Sequence, residues 1–113
     1  MLARVNRLVK TKDIEQAFKQ GKSLFGQNLG VKVKSNKLEL NRFAIVVSAK
    51  VSKKAVVRNK IKRRLREVLR VESKYFKVGY DLVIITLPST ARLRQVEIKN
   101  EIIKILQRAK LYQ

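Results

Sequence analysis

The sequence predicts an α+β two-layer sandwich, in which helices pack on a mostly β layer. Three stretches repeat apolar residues at helical spacing, and the stretches between them either alternate apolar with polar residues or stay apolar over the length of a strand. With 113 residues and 45% hydrophobic content, the chain is long enough for one core and too short to suggest two. We therefore predict a single domain over residues 1–113, of which residues 1–10 form a basic arm.

The first half of the chain is predicted to hold one helix followed by strands. Either Thr11 or Asp13 can cap the helix, and Gly21 is expected to end it. Residues 23–35 turn to alternation, which is clearest where leucine and valine alternate with glycine and lysine and is the period of half-buried strands. Residues 43–47 are continuously apolar, which favours a strand in the centre of the sheet.

The second half is predicted to place one strand between two helices. A helix covers about residues 55–72, after a short basic link over residues 50–54. Residues 80–86 carry the strongest strand signal, because aromatic and β-branched side chains follow one another until Pro88 closes the strand. The last helix covers about residues 95–110, where isoleucines recur on one face.

The helix over residues 55–72 combines an apolar stripe with a basic flank. At about 100° per residue, the apolar side chains fall on one arc and most cations on another. The apolar arc holds Val57, Ile61, Leu65, Val68 and Leu69. The basic flank holds Arg58, Asn59, Lys62, Arg63, Arg66 and Arg70. Like charges one turn apart destabilise an isolated helix by about 0.2–0.5 kcal/mol per pair, so a polyanion bound along this flank would stabilise it.

The charge of the chain indicates a nucleic-acid partner. The 28 basic residues against 8 acidic ones give a net charge of +20, far more than solubility requires. A membrane surface is the competing polyanion, and the spread of the charge over the whole chain disfavours it. No run approaches membrane-spanning length and the N-terminus lacks the pattern of a signal peptide. We therefore expect a cytoplasmic protein with no membrane partner.

The residue types that protein-based catalysis needs are scarce. The sequence has no cysteine and no histidine, which excludes thiolate nucleophiles, imidazole bases and Cys/His zinc sites. Nothing in the spacing gathers the carboxylates into a metal site, and Asp81, a lone carboxylate at the start of a strand, is interpreted as structural. We therefore predict no catalytic residue, no metal site and no cofactor on the chain itself.

A nine-residue motif within the basic helix is specific enough to indicate a family. The pattern R-N-x-x-K-R-x-x-R is filled by Arg58, Asn59, Lys62, Arg63 and Arg66. Further matches stand in order along the chain: Asn6-Arg7-Leu8, Phe18, Gly21-Lys22-Ser23, Arg42-Phe43, Gly79-Tyr80-Asp81 and Pro88. With these residues the chain resembles the protein subunit of bacterial ribonuclease P.

The resemblance implies that the chain joins a large catalytic RNA in a one-to-one complex and assists removal of the 5′ leader from precursor tRNA. The RNA would perform the hydrolysis with Mg²⁺ in the holoenzyme. The implied fold has a four-stranded sheet in the order α-β-β-β-α-β-α. It also has a left-handed β-α-β crossover through the basic helix, against the usual right-handed rule.

The resemblance further implies two surfaces for RNA. The surface for the catalytic RNA holds Arg58, Asn59, Lys62, Arg63 and Arg66 with Lys50 and Lys54, and Arg70 extends it. The cleft for the single-stranded leader holds Phe18, Lys32, Lys34 and Ser48. Phe18 keeps a competing interpretation as a core residue, because an aromatic at helical spacing is often buried. Phe25 is interpreted as a core or rim residue.

Departures from the family pattern concern this cleft and the link. Ile14 stands where a second aromatic is usual, and Lys32 and Lys34 stand where the cleft strand often carries an aromatic. Ala44 replaces a usual glycine, and the link before the basic helix is one residue shorter than the common spacing. We therefore expect leader binding to depend more on charge than on stacking.

Two other functions fit parts of the sequence. A ribosomal protein or ribosome-assembly factor would share the size, charge and architecture, and only the motif separates it from the first interpretation. A DNA-binding basic helix would need a leucine zipper directly after it, and residues 71–79 provide none.

Overall fold

Residues 6–113, the part that a computed structural model describes, fold into three α-helices and a four-stranded sheet. Residues 1–5 of the predicted arm lie outside this part. The elements in chain order are α1 (Thr11–Gln20), β1 (Lys22–Phe25), β2 (Leu29–Ser35), β3 (Arg42–Val46), α2 (Ala55–Glu72), β4 (Tyr80–Thr86) and α3 (Gln95–Arg108). The order α-β-β-β-α-β-α is the predicted one, and α2 has the predicted bounds. The single domain over residues 1–113 stays a prediction.

The sheet has the strand order β1-β2-β4-β3, with β3 parallel to β4 and the other neighbours antiparallel. The basic helix α2 connects the parallel pair, and the handedness of this crossover stays a prediction.

The prediction of a central strand at residues 43–47 is wrong, because β3 lies at an edge. The arm covers that edge: Arg7 bridges to Phe43, whose carbonyl oxygen accepts the Leu8 N–H at 2.7 Å. From Phe43 onward β3 is apolar because both of its faces are covered: Phe43 packs in the cluster of α2 and α3, and Ala44 packs in the cluster of α1.

A tight turn at residues 26–28 divides the predicted strand region over residues 23–35 into β1 and β2. Two side chains of α3 fix this turn. The Glu101 carboxylate accepts the backbone N–H groups of Asn28 and Leu29 at 2.7 Å each. The Arg108 guanidinium donates to the Phe25 carbonyl oxygen at 3.1 and 3.2 Å. The hairpin is therefore anchored to the C-terminal helix at both of its strands.

The two faces of the sheet carry separate apolar clusters. On one face α2 and α3 pack, and Leu65, Ile84 and Ile102 are fully buried there. On the other face Ala17 of α1 packs against Val83 of the sheet. The predicted layer of helices on a β layer is thus present, and α1 adds a cover over part of the opposite face. The uncovered remainder of that face, with the exposed side of α1, is called the cleft face below.

The predicted N-cap of α1 is wrong. Lys10 is the N-cap residue and makes no side-chain hydrogen bond to the helix, so neither Thr11 nor Asp13 caps it. Asp13 instead pairs with Arg42 of β3, with 3.4 Å between Oδ2 and Nη1. The acidic group in the first turn therefore ties α1 to the sheet.

Gly21 directly follows the last residue of α1, as predicted. A glycine is needed here because the backbone passes too close to the preceding helical turn to leave room for a side chain. Its φ of −73° is accessible to any residue. A Cβ at Gly21 would lie 2.2 Å from the Ala17 carbonyl oxygen.

We expect Gly21→Ala to lower the free energy of unfolding by about 1–2 kcal/mol, because the helix end must shift. Thermal denaturation beside the exposed neighbour Gln20→Ala measures this, and a Gly21→Ala melting temperature equal to wild type would contradict it.

Candidate RNA interface

Burial of the apolar stripe of α2 turns the basic flank outward. The stripe comprises Ile61, Leu65, Val68 and Leu69, each at most 3% exposed, with Val57 at its margin. On the flank, Asn59 and Arg63 are exposed, and Lys62 and Arg66 are half-buried. Together with Val56 these side chains line a shallow depression of about 410 Å³. The motif residues from 59 to 66 thus form one cationic surface.

Arg58 supports the fold as well as belonging to the flank. It is half-buried, and its Nη1 donates to the Ser52 carbonyl oxygen at 2.9 Å. The Ser52 hydroxyl oxygen in turn accepts the backbone N–H of Lys54 at 3.2 Å. Arg58 therefore holds the link in place, and the predicted RNA-binding residues Lys50 and Lys54 are exposed on that link.

Arg70, at the C-terminal end of the flank, has a partner within the chain. Its Nη2 and Nε donate to the two carboxylate oxygens of Glu67 at 2.6 and 3.1 Å. This hydrogen bonding raises the pKa of Arg70 and lowers the pKa of the Glu67 carboxyl. RNA would have to compete with Glu67 for Arg70, so the predicted role of Arg70 stays a prediction.

Arg66 joins the basic flank to the region around α1. A groove of about 180 Å³ beside β3 is lined by Arg66 of α2, Ile14 of α1, Ala44 of β3 and the arm residues Arg7 and Leu8. The sequence placed Arg66 on the flank only. The groove brings a second cation, Arg7, to the same place, because the arm runs along the edge of the sheet.

Of the predicted leader residues, Phe18, Lys32 and Lys34 lie on the cleft face, whereas Ser48 lies apart from them, beyond the end of the edge strand β3. Strand pairing places Lys32 opposite Ser23 and Val83, on the face that α1 partly covers. The Lys32 ammonium donates to the Ser23 hydroxyl at 3.0 Å and to the Phe18 carbonyl oxygen at 3.2 Å. Lys34 lies two residues further along β2, and Ser48 is exposed just beyond the end of β3.

The alternative that Phe18 is a core residue is wrong. Its side chain is 38% exposed, and the Lys32 ammonium lies 5.4 Å from the ring centroid. Such a cation beside a ring is attracted by the ring's negative face. An accessible ring beside an ammonium group suits both stacking on a base and binding of a phosphate, although contact with RNA stays a prediction.

Asp81 is structural, as its position at a strand start indicated. It is 4% exposed, and its carboxylate accepts hydrogen bonds from Arg42 Nε and Nη2 at 2.8 Å each and from Asn36 Nδ2 at 2.9 Å. The hydrogen bond to Asp81 raises the pKa of Arg42. The carboxylate therefore has its oxygens occupied and does not fit a metal ligand.

Residues 6–113 offer neither a cluster of metal ligands nor a membrane-spanning helix. In that range, no group of three or more histidine, cysteine, aspartate or glutamate side chains is placed to hold a metal ion. No helix of the same range has the length and apolar character to span a membrane. The candidate interface thus consists of cations, amides and exposed rings.

A helix with a cationic flank, set on an α+β frame in a chain of net charge +20, has the electrostatic character of a nucleic-acid-binding protein. A family model for ribonuclease P matches residues 2–110. The chain belongs to the ribonuclease P protein family.

Relatives and solved structures agree with this assignment over nearly the whole chain. The ribonuclease P protein component of Clostridium kluyveri is 39% identical over 110 residues, covering 96% of this chain and 97% of that protein. The corresponding protein of Clostridium botulinum strain 657 is 36% identical, covering 95% and 96%. The RNase P protein structure from Staphylococcus aureus superposes with a TM-score of 0.86 at 29% identity, covering 96% and 98%. That from Thermotoga maritima gives 0.83 at 31% identity, covering 90% and 96%.

Family membership makes the chain a protein component of the ribonuclease P ribonucleoprotein and thus a subunit of an enzyme complex. It also implies partnership with the RNA of that enzyme. The comparisons support this interpretation and not the alternative of a ribosomal protein or assembly factor.

Proposed function

We propose that the chain binds the catalytic RNA of ribonuclease P through the basic flank of α2 and holds the 5′ leader of precursor tRNA on the cleft face. The observation that carries the proposal is the outward orientation of Asn59, Lys62, Arg63 and Arg66, whose neighbouring stripe is buried. The flank therefore cannot turn inward without exposing the core. In the folded chain, the side chains of the flank therefore stay at the surface, where a binding partner can reach them.

The residue types of the flank suit a folded RNA. Arginine forks such as that of Arg63 engage phosphate oxygens in pairs, whereas Lys62 acts as a mobile point charge. Asn59 donates and accepts, so it can contact a ribose 2′-hydroxyl or a base edge. Because phosphate contacts position an RNA without selecting its sequence, this surface fits a structural interface with one large RNA.

The residue types of the cleft face suit a single strand of variable sequence. Lys32 and Lys34 supply positive charge along β2, and Phe18 presents a ring at the border of α1. Stacking of a base on an aromatic ring is worth about 1–3 kcal/mol and tolerates any base. A leader-binding surface built in this way accepts precursors with different leaders.

The hydrolysis is assigned to the RNA subunit and to Mg²⁺ bound by it. The protein contributes binding and orientation, since its described residues gather no metal-ligating group and the sequence lacks histidine and cysteine. A one-to-one complex of a monomeric chain with the RNA, acting in the cytoplasm, completes the proposal.

Reconstitution at low Mg²⁺ tests the proposed function. Ribonuclease P RNA is mixed with a 5′-leader-bearing precursor tRNA, with and without the purified chain. We expect the chain to raise the rate of 5′ maturation, because its cations reduce the repulsion between the two RNAs. The chain without the RNA is expected to cleave nothing. Equal rates with and without the chain, or cleavage by the chain alone, would contradict the proposal.

A further inference from the structure

The β1–β2 hairpin carries a second exposed ring that the sequence pattern did not place in the cleft. Phe25 is 49% exposed, although it belongs to a strand and is one of four phenylalanines in the chain. It pairs directly with Gly30 of β2. In an antiparallel pair the two partners project to the same face of the sheet, so the ring lies over the glycine.

The absence of a side chain at Gly30 leaves the space that the Phe25 ring occupies. A Cβ at Gly30 would lie 2.3 and 2.4 Å from two carbon atoms of the Phe25 ring. Any side chain at Gly30 would therefore displace the ring from its place. Gly30 itself is buried beneath the ring, while the ring remains half exposed to solvent. One side of the ring is thus supported by the sheet and the other is open.

The backbone beneath the ring is fixed from two directions. The Arg108 guanidinium of α3 donates twice to the Phe25 carbonyl oxygen. The next residue, Gly26, donates its N–H to the Leu29 carbonyl oxygen at 2.8 Å and closes the turn. A ring held on such a support loses little conformational freedom when a ligand stacks on it, which favours binding.

The ring lies on the cleft face, next to the proposed leader residues. Ser23 and Lys32 form the neighbouring cross-strand pair on the same face, two residues along each strand from Phe25 and Gly30. Two residues of a strand span about 7 Å. The Lys32 ammonium bonds to Ser23 and to the Phe18 carbonyl oxygen. The face therefore presents the ring of Phe18, the ammonium of Lys32 and the ring of Phe25 in sequence.

We propose that Phe25, seated on Gly30, is a stacking platform for one base of the 5′ leader of precursor tRNA. The inference rests on the proposed function, because it assumes that the cleft face holds the leader. It adds stacking to a cleft in which charge was expected to contribute more than stacking. Strand β2 places Lys32 on this face, and the neighbouring strand β1 supplies the Phe25 ring to the same face. Stacking on this ring is independent of base identity.

Leader-dependent affinity of the holoenzyme tests the platform. The holoenzyme, reconstituted from ribonuclease P RNA and the full chain, is titrated with a precursor carrying a long leader and with the same tRNA carrying a one-nucleotide leader. The ratio of the two affinities isolates the leader contribution. We expect Phe25→Leu, which keeps an apolar cover over Gly30, to reduce this ratio by about 5- to 100-fold. Phe25→Tyr, which keeps an aromatic ring, is expected to leave it unchanged.

Fluorescence provides a second readout that does not depend on loss of binding. The chain has no tryptophan, so Phe25→Trp introduces a single indole. Its emission is expected to change when the long-leader precursor binds and to stay constant with the one-nucleotide leader. As a control, Tyr75→Trp places the indole at another exposed ring, beside Tyr112, and its emission is expected to be the same with both precursors.

The outcomes separate the two proposals. If wild type shows a leader-dependent ratio and Phe25→Leu retains it in full, the platform is overturned and the leader cleft stands. If wild type shows no leader dependence at all, both the cleft and the platform are overturned. If Phe25→Leu is too unstable to assemble, the fluorescence of Phe25→Trp decides alone, and identical emission with both precursors overturns the platform.

Discussion

Removing three charges from the basic flank is expected to abolish tight assembly with ribonuclease P RNA. In the triple variant Lys62→Gln, Arg63→Gln, Arg66→Gln, each lost charge-assisted contact weakens binding by about 1 kcal/mol or more, so the affinity should fall by about 100-fold or more. The slope of log affinity against log salt should also decrease by about one unit per lost phosphate contact. Equilibrium binding over a series of salt concentrations measures both quantities.

A matched control carries the same change in net charge at other places. Lys60, Lys77 and Lys104 are exposed, and none belongs to the predicted flank or to the cleft. Their simultaneous replacement by glutamine should change affinity and salt slope much less than the flank variant. Both variants should keep the melting temperature of wild type, because the replaced side chains lie outside the core. Equal losses of RNA affinity in the two variants would show that net charge, and not the flank, drives assembly.

Asp81→Asn is expected to cause the largest loss of stability among the variants considered. The substitution removes the charge that the Arg42 guanidinium faces at two donor atoms and disturbs the bond to Asn36. Breaking a fully buried pair costs about 3–5 kcal/mol, and because the Arg42 side chain is 25% exposed we expect about 2–4 kcal/mol. At about 4 °C per kcal/mol the melting temperature should fall by about 8–16 °C.

The exposed pair between Arg70 and Glu67 is the control for this experiment. Glu67→Gln removes a carboxylate that also holds an arginine, but both side chains of this pair reach solvent. Exposed ion pairs add little to stability. We therefore expect no measurable shift in melting temperature for Glu67→Gln. A shift as large as that of Asp81→Asn would contradict the view that burial gives the Asp81 contact its strength.

The sequence was sufficient to predict α2 and its two surfaces. Eighteen residues with a regular apolar stripe leave little choice of conformation or of buried face, so the bounds of the helix and the burial of Leu65 and Leu69 followed from periodicity alone. The accessible flank followed in turn, because side chains beside a buried stripe must face outward. The family motif then indicated which polyanion this flank meets.

Contacts between distant elements could not be predicted in this way. The edge position of β3 depends on which strands pair, and its apolar run does not reveal that position because both faces of β3 are covered by helices. Glu101 accepts hydrogen bonds from the hairpin turn, and Asp81 accepts them from Arg42. Both contacts join residues far apart in the chain, and the spacing of apolar residues along the sequence carries no information about such pairs. The sequence left Phe25 as a core or a rim residue, and only the structure places its half-exposed ring over Gly30 on the cleft face.

Site-specific photo-crosslinking tests most directly whether the basic flank binds ribonuclease P RNA and the cleft face binds the leader. A photoreactive side chain replaces either Val56, which is 77% exposed beside the basic flank, or Ser23, which is exposed on the cleft face. Each variant is reconstituted with ribonuclease P RNA and a leader-bearing precursor tRNA. Position 56 is expected to cross-link to ribonuclease P RNA and position 23 to the leader. Cross-links from position 56 to the leader, or from position 23 to ribonuclease P RNA alone, would contradict the assignment of the flank and the cleft.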